Sequence, residues 1–285
     1  MIKKIIKIIL SKYLIDFINF FFLKILRIKK ILNHDYNYLG KFFLVKKNDI
    51  FITSFPKSGN TWVRLIVANL LRFKVNLQNI DHFLPETYSY KESFYLHKFK
   101  KRRIIKSHDY FDHRFKKVIY VVRDPREVIV STYFFQIKIK AIKKNYSKRK
   151  FINSFIKGKY SSDFGTWEQN VGSWHGSRNK NIIFIRYEDL IDKPVKEIKR
   201  ISNFLKIKTS NKKILQVIKN TSFKKFQAEE KNNLLNWNSM KKKNDKRVFF
   251  FRSGKKNSWK KFFSSKDNIL IKKTYARYMK IFNYK

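Results

Sequence analysis

Residues 49–73, DIFITSFPKSGNTWVRLIVANLLRF, constrain this chain more than any other stretch. Residues 50–55 are a short apolar run of β-branched and aromatic side chains and read as a buried strand. Pro56, Lys57, Ser58, Gly59 and Asn60 follow as a loop, and from Thr61 onward Trp62, Leu65, Ile66, Asn69, Leu70 and Phe73 recur at helical spacing. The first N–H groups of a helix lack internal partners, and the helix dipole adds partial positive charge there. Strand, basic loop and helix therefore make an anion cradle. Gly59 lets the backbone approach a phosphate, Lys57 adds a full charge, and Ser58 and Thr61 add hydroxyl donors. The loop is not a Walker A motif, because G-x-x-x-x-G-K-S/T places the lysine after its second glycine, whereas Lys57 precedes the single Gly59. The plainer alternative is a solvated strand-to-helix turn with Ser58 as a cap.

Three further strand patterns surround this unit. Residues 103–107 read as a short strand that delivers Lys106 and ends in His108. At the carboxyl end of a parallel strand, a histidine points into the crevice where α/β sheets bind ligands, and it can act there as a general base. A lone histidine is otherwise a partly buried or surface group. Residues 117–123, KVIYVVR, are the clearest strand, followed by Asp124 as a natural N-cap, Pro125 at the first helical position, and a helix from Arg126 to about residue 138 carrying Ser131. Arginine at that strand end suits a phosphate through its planar fork, or alternatively pairs with Asp124 to stabilise the turn. Residues 181–187, NIIFIRY, form a fourth strand ending at Tyr187. Strands alternating with helices predict an α/β fold around a central parallel sheet.

The remaining segments are less patterned. Residues 75–101 read as loop with short helical pieces, residues 138–159 as a lysine-rich surface loop or mobile lid, and residues 232–248 as polar and weakly ordered. Residues 164–177 carry Trp167, Val171 and Trp174 at helical spacing, which predicts a core-facing helix and a structural His175. Residues 193–205, 212–219 and 266–282 read as helices.

At the amino end, residues 1–32 mix apolar and basic residues, and the longest run without charge, residues 17–23, is far short of the roughly 20 residues a bilayer span needs. Two readings stand for it: an interfacial helix on an anionic membrane, or a helix packed on the domain. The expected organisation is a basic, apolar helical extension over 1–45 and a catalytic domain over 46–285. Cysteine is absent, so disulfides and cysteine-based metal sites are excluded, which is compatible with a reducing, cytoplasmic compartment. The net charge of +47 points either to a polyanionic partner or to lysine filling solvated positions in a biased composition. Lysines scattered along the whole chain favour the second cause. No arginine-rich arm, aromatic RNA-binding strand pair or zinc finger is present, so nucleic-acid binding has no module to carry it.

These stretches, taken in order, resemble the sulfotransferases that use 3′-phosphoadenosine 5′-phosphosulfate (PAPS). PKSGNTW is similar to that family's 5′-phosphosulfate loop, T-x-P-K-S-G-T-T-W, with Phe55 in place of the usual tyrosine and Asn60 in place of the first threonine after the glycine. Lys106 and His108 match K-T-H-L-P, although Asp109 and Tyr110 replace Leu-Pro. Tyr120, Val121, Arg123, Asp124, Glu127 and Ser131 meet every keyed position of the 3′-phosphate motif Y-V-x-R-D/N-x-x-D/E-x-x-x-S. Tyr187-Glu188-Asp189-Leu190 and Thr221-Ser222-Phe223 resemble the family's Y-E-D-L and T-S-F segments. FFFRSGKKNSWKKFF resembles R-K-G-x-x-G-D-W-K, with Arg252, Gly254, Trp259 and Lys260 matching, Ser253 replacing a lysine, Lys256 or Asn257 standing for the second glycine, and Ser258 replacing the aspartate.

The resemblance implies a P-loop-like three-layer α/β/α sulfotransferase fold and transfer of a sulfuryl group from PAPS to a hydroxyl or amine without a metal. It implies that His108 is the general base and that Lys57, aided by Lys106, is the leaving-group cation. It assigns the 5′-phosphate to Ser58, Gly59, Asn60, Thr61 and Trp62, and the 3′-phosphate to Arg123, Ser131, Arg252, Ser253 and Gly254. Trp62, Tyr187, Thr221 and Phe223 fall to adenine. Two other readings remain: a P-loop-type kinase acting on a small molecule, and a basic membrane- or polyanion-binding protein with a decayed site. A lipid, a glycan and a small phenol all remain open as acceptors.

Overall fold

The computed structural model describes residues 45–87, 103–177, 179–232, 245 and 247–285. The expectations for residues 1–44, 88–102 and 233–244 lie outside the described residues, the interfacial helix over 1–32 among them.

In chain order the elements are β1 (Ile50–Thr53), α1 (Asn60–Leu70), the one-turn α2 (Ile80–Phe83), β2 (Ile104–Ser107), β3 (Val118–Val122), α3 (Pro125–Lys138), α4 (Lys148–Ile156), α5 (Trp167–His175), β4 (Ile182–Arg186), α6 (Tyr187–Asp192), α7 (Pro194–Phe204), α8 (Asn211–Asn220), α9 (Phe223–Lys231) and α10 (Ser265–Ile281). The four strands form one parallel sheet in the order β2-β1-β3-β4. β1 pairs with β2 in the register Ile50 to Ile104 and with β3 in the register Phe51 to Val118. A parallel sheet covered on both faces needs apolar residues at nearly every strand position, which is why IFIT and VIYVV do not alternate with polar residues.

Alternate strand positions feed two cores. Phe51, Ile105, Val118, Tyr120 and Val122 face one way, against Val128 and Ile129 of α3, Phe151 of α4, Trp167 and Trp174 of α5, and Ile271 of α10. Ile50, Ile52, Ile104, Ile119 and Val121 face the other, against Val63 and Ile66 of α1, Ile198 and Ile201 of α7, and Val217 of α8. The result is the expected three-layer α/β/α arrangement.

Several boundaries differ from expectation. β1 ends at Thr53 rather than residue 55, because Ser54 and Phe55 already turn into the loop. The stretch read as a surface loop or lid holds α4, whose Phe151, Ile152 and Phe155 are buried in the core; the run of basic residues before them had masked the helical stripe. Ser147 caps that helix by accepting a hydrogen bond from the Lys150 N–H. Among the described residues no helix is long and apolar enough to cross a membrane.

Candidate active site

The loop between β1 and α1 closes over the carboxyl end of the sheet. Gly59 sits in the left-handed region at φ 101° and caps α1. A Cβ there would lie 2.5 Å from the Tyr187 ring, so both conformation and packing require glycine. Thr61 and Trp62 are half-buried in the first turn of α1, whose leading N–H groups face the loop. Ser58 is buried, and its Oγ has no hydrogen-bond partner among the described residues. An orphaned buried hydroxyl at a helix N-terminus is a donor held ready for an oxygen anion.

Two loop residues behave differently from the sequence expectation. The Asn60 side chain does not face the cradle. Its amide donates to the carbonyls of Ile52 (3.0 Å) and Ser107 (3.3 Å), and it lies 3.3 Å from Ser54 Oγ, so it staples β1 to β2. Only the Asn60 backbone remains available to an anion. Lys57, at φ 66°, carries its ammonium between two rings, 3.4 Å from the Phe250 centroid and 4.3 Å from that of Phe135. Burial, followed by the charge of Arg123, holds Lys57 well below the usual lysine range; Lys106 and Lys138 act in the same sense and Glu230 opposes them.

His108 stands just beyond β2. Its Nδ1 lies 2.6 Å from the Ser54 carbonyl oxygen, which can only accept, so Nδ1 carries the proton and Nε2 is the basic nitrogen. Asn170 of α5 donates to the His108 carbonyl at 2.9 Å, and the Phe164 ring lies edge-on, 5.5 Å from the imidazole. Burial, then the nearby charge of Lys106, pushes the imidazole down to about 3, so it is neutral near pH 7. Lys106, two residues earlier and on the same side of the strand, pairs with Glu86. Burial alone would raise the Glu86 carboxyl, but Lys106 and Arg64 pull it down to about 2. Glu86 lies in a segment without sequence periodicity, and only its bridge to Lys106 marks it.

Arg123, at the end of β3, is buried and donates to the Lys57 carbonyl at 3.1 Å, which ties β3 to the backbone of the loop between β1 and α1. It stands 4.1 Å over the Tyr187 ring and 3.5 Å from Glu127, while its Nε has no partner among the described residues. Glu127 also accepts from Ser258 Oγ at 2.7 Å and from the Trp259 N–H at 3.2 Å. Ser258 in turn accepts from Arg252 at 3.3 Å. Arg123 and Arg252, 129 positions apart by their numbering, thus meet through Glu127 and Ser258. Ser258, which replaces the aspartate of the motif, is a working member of this relay. Ser131 is half-buried on α3, two turns beyond Asp124. Ser253 is half-buried beside Gly254, which sits at φ 59°, where a Cβ would lie 2.4 Å from the Phe223 ring.

The aromatic residues assigned to adenine cluster as well. Trp62 donates from Nε1 to the Thr221 carbonyl at 3.0 Å and meets Tyr187 edge-on at 5.4 Å. Phe223 opens α9 and touches Phe251 edge-on at 6.4 Å. Tyr187, expected at a strand end, begins α6 and is largely occupied with Gly59, Trp62 and Arg123.

Known proteins place this geometry. The family model for the sulfotransferase domain matches residues 47–283. The chain belongs to the sulfotransferase family. Among curated relatives, rat sulfotransferase 2A2 is 32% identical over 239 residues, covering 79% of this chain and 81% of its own length. Bovine sulfotransferase 1E1 is 28% identical over 257 residues, covering 84% and 85%. Among solved structures, mouse sulfotransferase SULT7A1 in complex with PAP superposes with a TM-score of 0.68 at 23% identity, covering 86% of this chain and 87% of that one. Retinol dehydratase in complex with retinol and PAP gives 0.70 at 19% identity, covering 84% and 83%. This chain is therefore a sulfotransferase with the sulfotransferase fold, and the kinase reading is set aside.

Proposed function

We propose that this sulfotransferase moves a sulfuryl group from PAPS to a hydroxyl or amine, with His108 taking the acceptor's proton. The observation that carries the reading is the Arg123 guanidinium, which bonds the Lys57 carbonyl while sharing Glu127 with the Ser258–Arg252 arm. One side chain thus joins a 5′-phosphate loop and a 3′-phosphate pocket in a single crevice. The unpartnered Ser58 Oγ and Arg123 Nε, with the close backbone approach at Gly59, fit an anionic nucleotide.

PAPS supplies an activated sulfuryl group on a phosphate leaving group. The α1 N-terminus, Ser58 and Thr61 hold the 5′-phosphate. Lys57 and Lys106 neutralise the charge that develops as the bond from sulfur to that phosphate breaks. His108 accepts at Nε2 the proton released from the acceptor hydroxyl or amine, while Ser54 fixes its tautomer. Arg123, Arg252, Ser131 and the backbone at Ser253 and Gly254 hold the 3′-phosphate. Trp62, Tyr187, Thr221 and Phe223 frame adenine. The Phe164 edge beside His108 gives the acceptor an apolar wall, as would suit a body like the retinol held by retinol dehydratase.

Catalysis is assigned to residues 46–285 in the cytoplasm. Residues 1–32 are assigned a peripheral contact with an anionic inner membrane face, which unchanged flotation on acidic liposomes after their deletion would exclude. The deciding experiment for the activity is calorimetry with PAP, followed by a screen of hydroxyl and amine acceptors with sulfur-labelled PAPS. Binding of PAP with label transfer is expected; indifference to PAP would refute the reading.

A further inference from the structure

The Lys57 ammonium is held by more than its own loop. Phe135, from the last turns of α3, and Phe250, from the segment after residue 247, stand on two sides of it, 6.0 Å apart and nearly perpendicular. The Phe250 backbone is fixed in turn. Glu230 at the end of α9 accepts from the Phe250 N–H at 2.6 Å and from the Phe251 N–H at 2.9 Å. Glu230 is buried and pairs with the buried Lys138 at 2.9 Å, and Lys138 also donates to the Val248 carbonyl at 2.7 Å. Two buried charges and three backbone groups therefore hold one aromatic ring against one lysine.

We propose that Phe250 is a positioning residue for Lys57: with Phe135 it clamps the ammonium between two ring faces, and the Lys138–Glu230 pair holds the clamp in place. The proposal rests on the reading of Lys57 as the leaving-group cation. An ammonium on a flexible four-carbon stem is a poor electrostatic catalyst unless it is fixed before charge develops. The negative faces of aromatic rings attract it without supplying a counter-charge, so it stays available to the phosphate oxygen that accumulates charge. A carboxylate in the same place would compete with that oxygen. The charged groups facing Lys57 are Arg123, Lys106 and Lys138, which disfavour its cationic form, and Glu230, which favours it. The rings oppose the three cations.

The test uses the full chain. Wild type, Phe250→Leu and Phe250→Trp are labelled with acetic anhydride across a pH series, without nucleotide, and the Lys57 peptide is read by mass spectrometry. Leucine keeps the apolar cover and removes the ring face, so Lys57 is expected to titrate at lower pH than in wild type. The same variant is expected to lose about tenfold in kcat while KM for PAPS moves less than about threefold, because the contact serves charge that appears in the transition state. Tryptophan is expected to restore both. An unchanged Lys57 titration in Phe250→Leu, or no recovery in Phe250→Trp, would overturn the proposal. Lys57→Met separates the two levels: if it turned over normally, the leaving-group role would fail, whereas the labelling would still decide whether the rings hold the lysine.

Discussion

His108 Nδ1 lies 2.6 Å from the carbonyl oxygen of Ser54, and this single contact sets which face of the imidazole can take a proton. A carbonyl cannot donate, so Nδ1 carries the proton and Nε2 is the basic nitrogen. The contact joins two strands that are neighbours in the sheet but 54 positions apart in the chain.

Replacing His108 by Ala is expected to lower kcat by about 10²- to 10⁴-fold, the usual worth of a positioned proton acceptor. PAP affinity, read by calorimetry, should hardly change, because no phosphate contact is assigned to the ring. Normal turnover in this variant would remove His108 from its role.

Burial and Lys106 place the His108 imidazole at about 3, so turnover should show no limb near pH 6.5 from this residue. Stability follows with a definite sign. The folded ring stays neutral while the unfolded one protonates below about 6.5, so the unfolded state binds the extra proton and stability falls as pH drops from there toward 3. Urea midpoints at pH 7 and pH 5, compared between wild type and His108→Asn, should show a shallower loss in the variant.

Arg123→Lys keeps the charge but loses the fork that reaches the Lys57 carbonyl and Glu127 together. Charge-assisted bonds of this kind contribute about 1.5–3 kcal/mol, so PAP should bind about 10- to 100-fold more weakly. Calorimetry measures this directly, and unchanged affinity would place the 3′-phosphate elsewhere.

Gly59→Ala forces a Cβ to within 2.5 Å of the Tyr187 ring at φ 101°. A loss of about 2–3 kcal/mol in chemical denaturation is expected, from overpacking and backbone strain together. Adding Tyr187→Leu should recover only part of it, because the second substitution relieves the clash and not the dihedral.

Asn60→Ala leaves the Ile52 and Ser107 carbonyls without their amide donor. The expected cost is about 1–3 kcal/mol in stability, with PAP affinity nearly unchanged. A large loss of affinity at unchanged stability would instead put the side chain in the phosphate cradle.

The central sheet and the phosphate loop were legible because their signals are local. A buried parallel strand is recognisable from its own five residues, and Pro56 to Asn60 carry their turn chemistry with them. The motif positions Arg123, Glu127 and Arg252 were also readable, and the structure brings them together through Ser258. Helix α4 was missed because seven basic residues from 138 to 150 obscure a stripe of only Phe151, Ile152 and Phe155. Glu86, Glu230 and Phe250 carried no signal, since each acts on a residue at least 20 positions away.

By itself the sequence determined the fold class, the family and the kinds of groups at the site, because strand patterns, turn residues and motif spacing are properties of short contiguous segments. Only the tertiary structure decided what each group does with its hydrogen bonds and charge. It turned the Asn60 amide from the anion to the sheet, placed Lys57 between two rings, and chose the His108 tautomer. The physical reason is that burial, field and bond partners are set by neighbours in space, and the parallel crossovers bring those neighbours from distant parts of the chain.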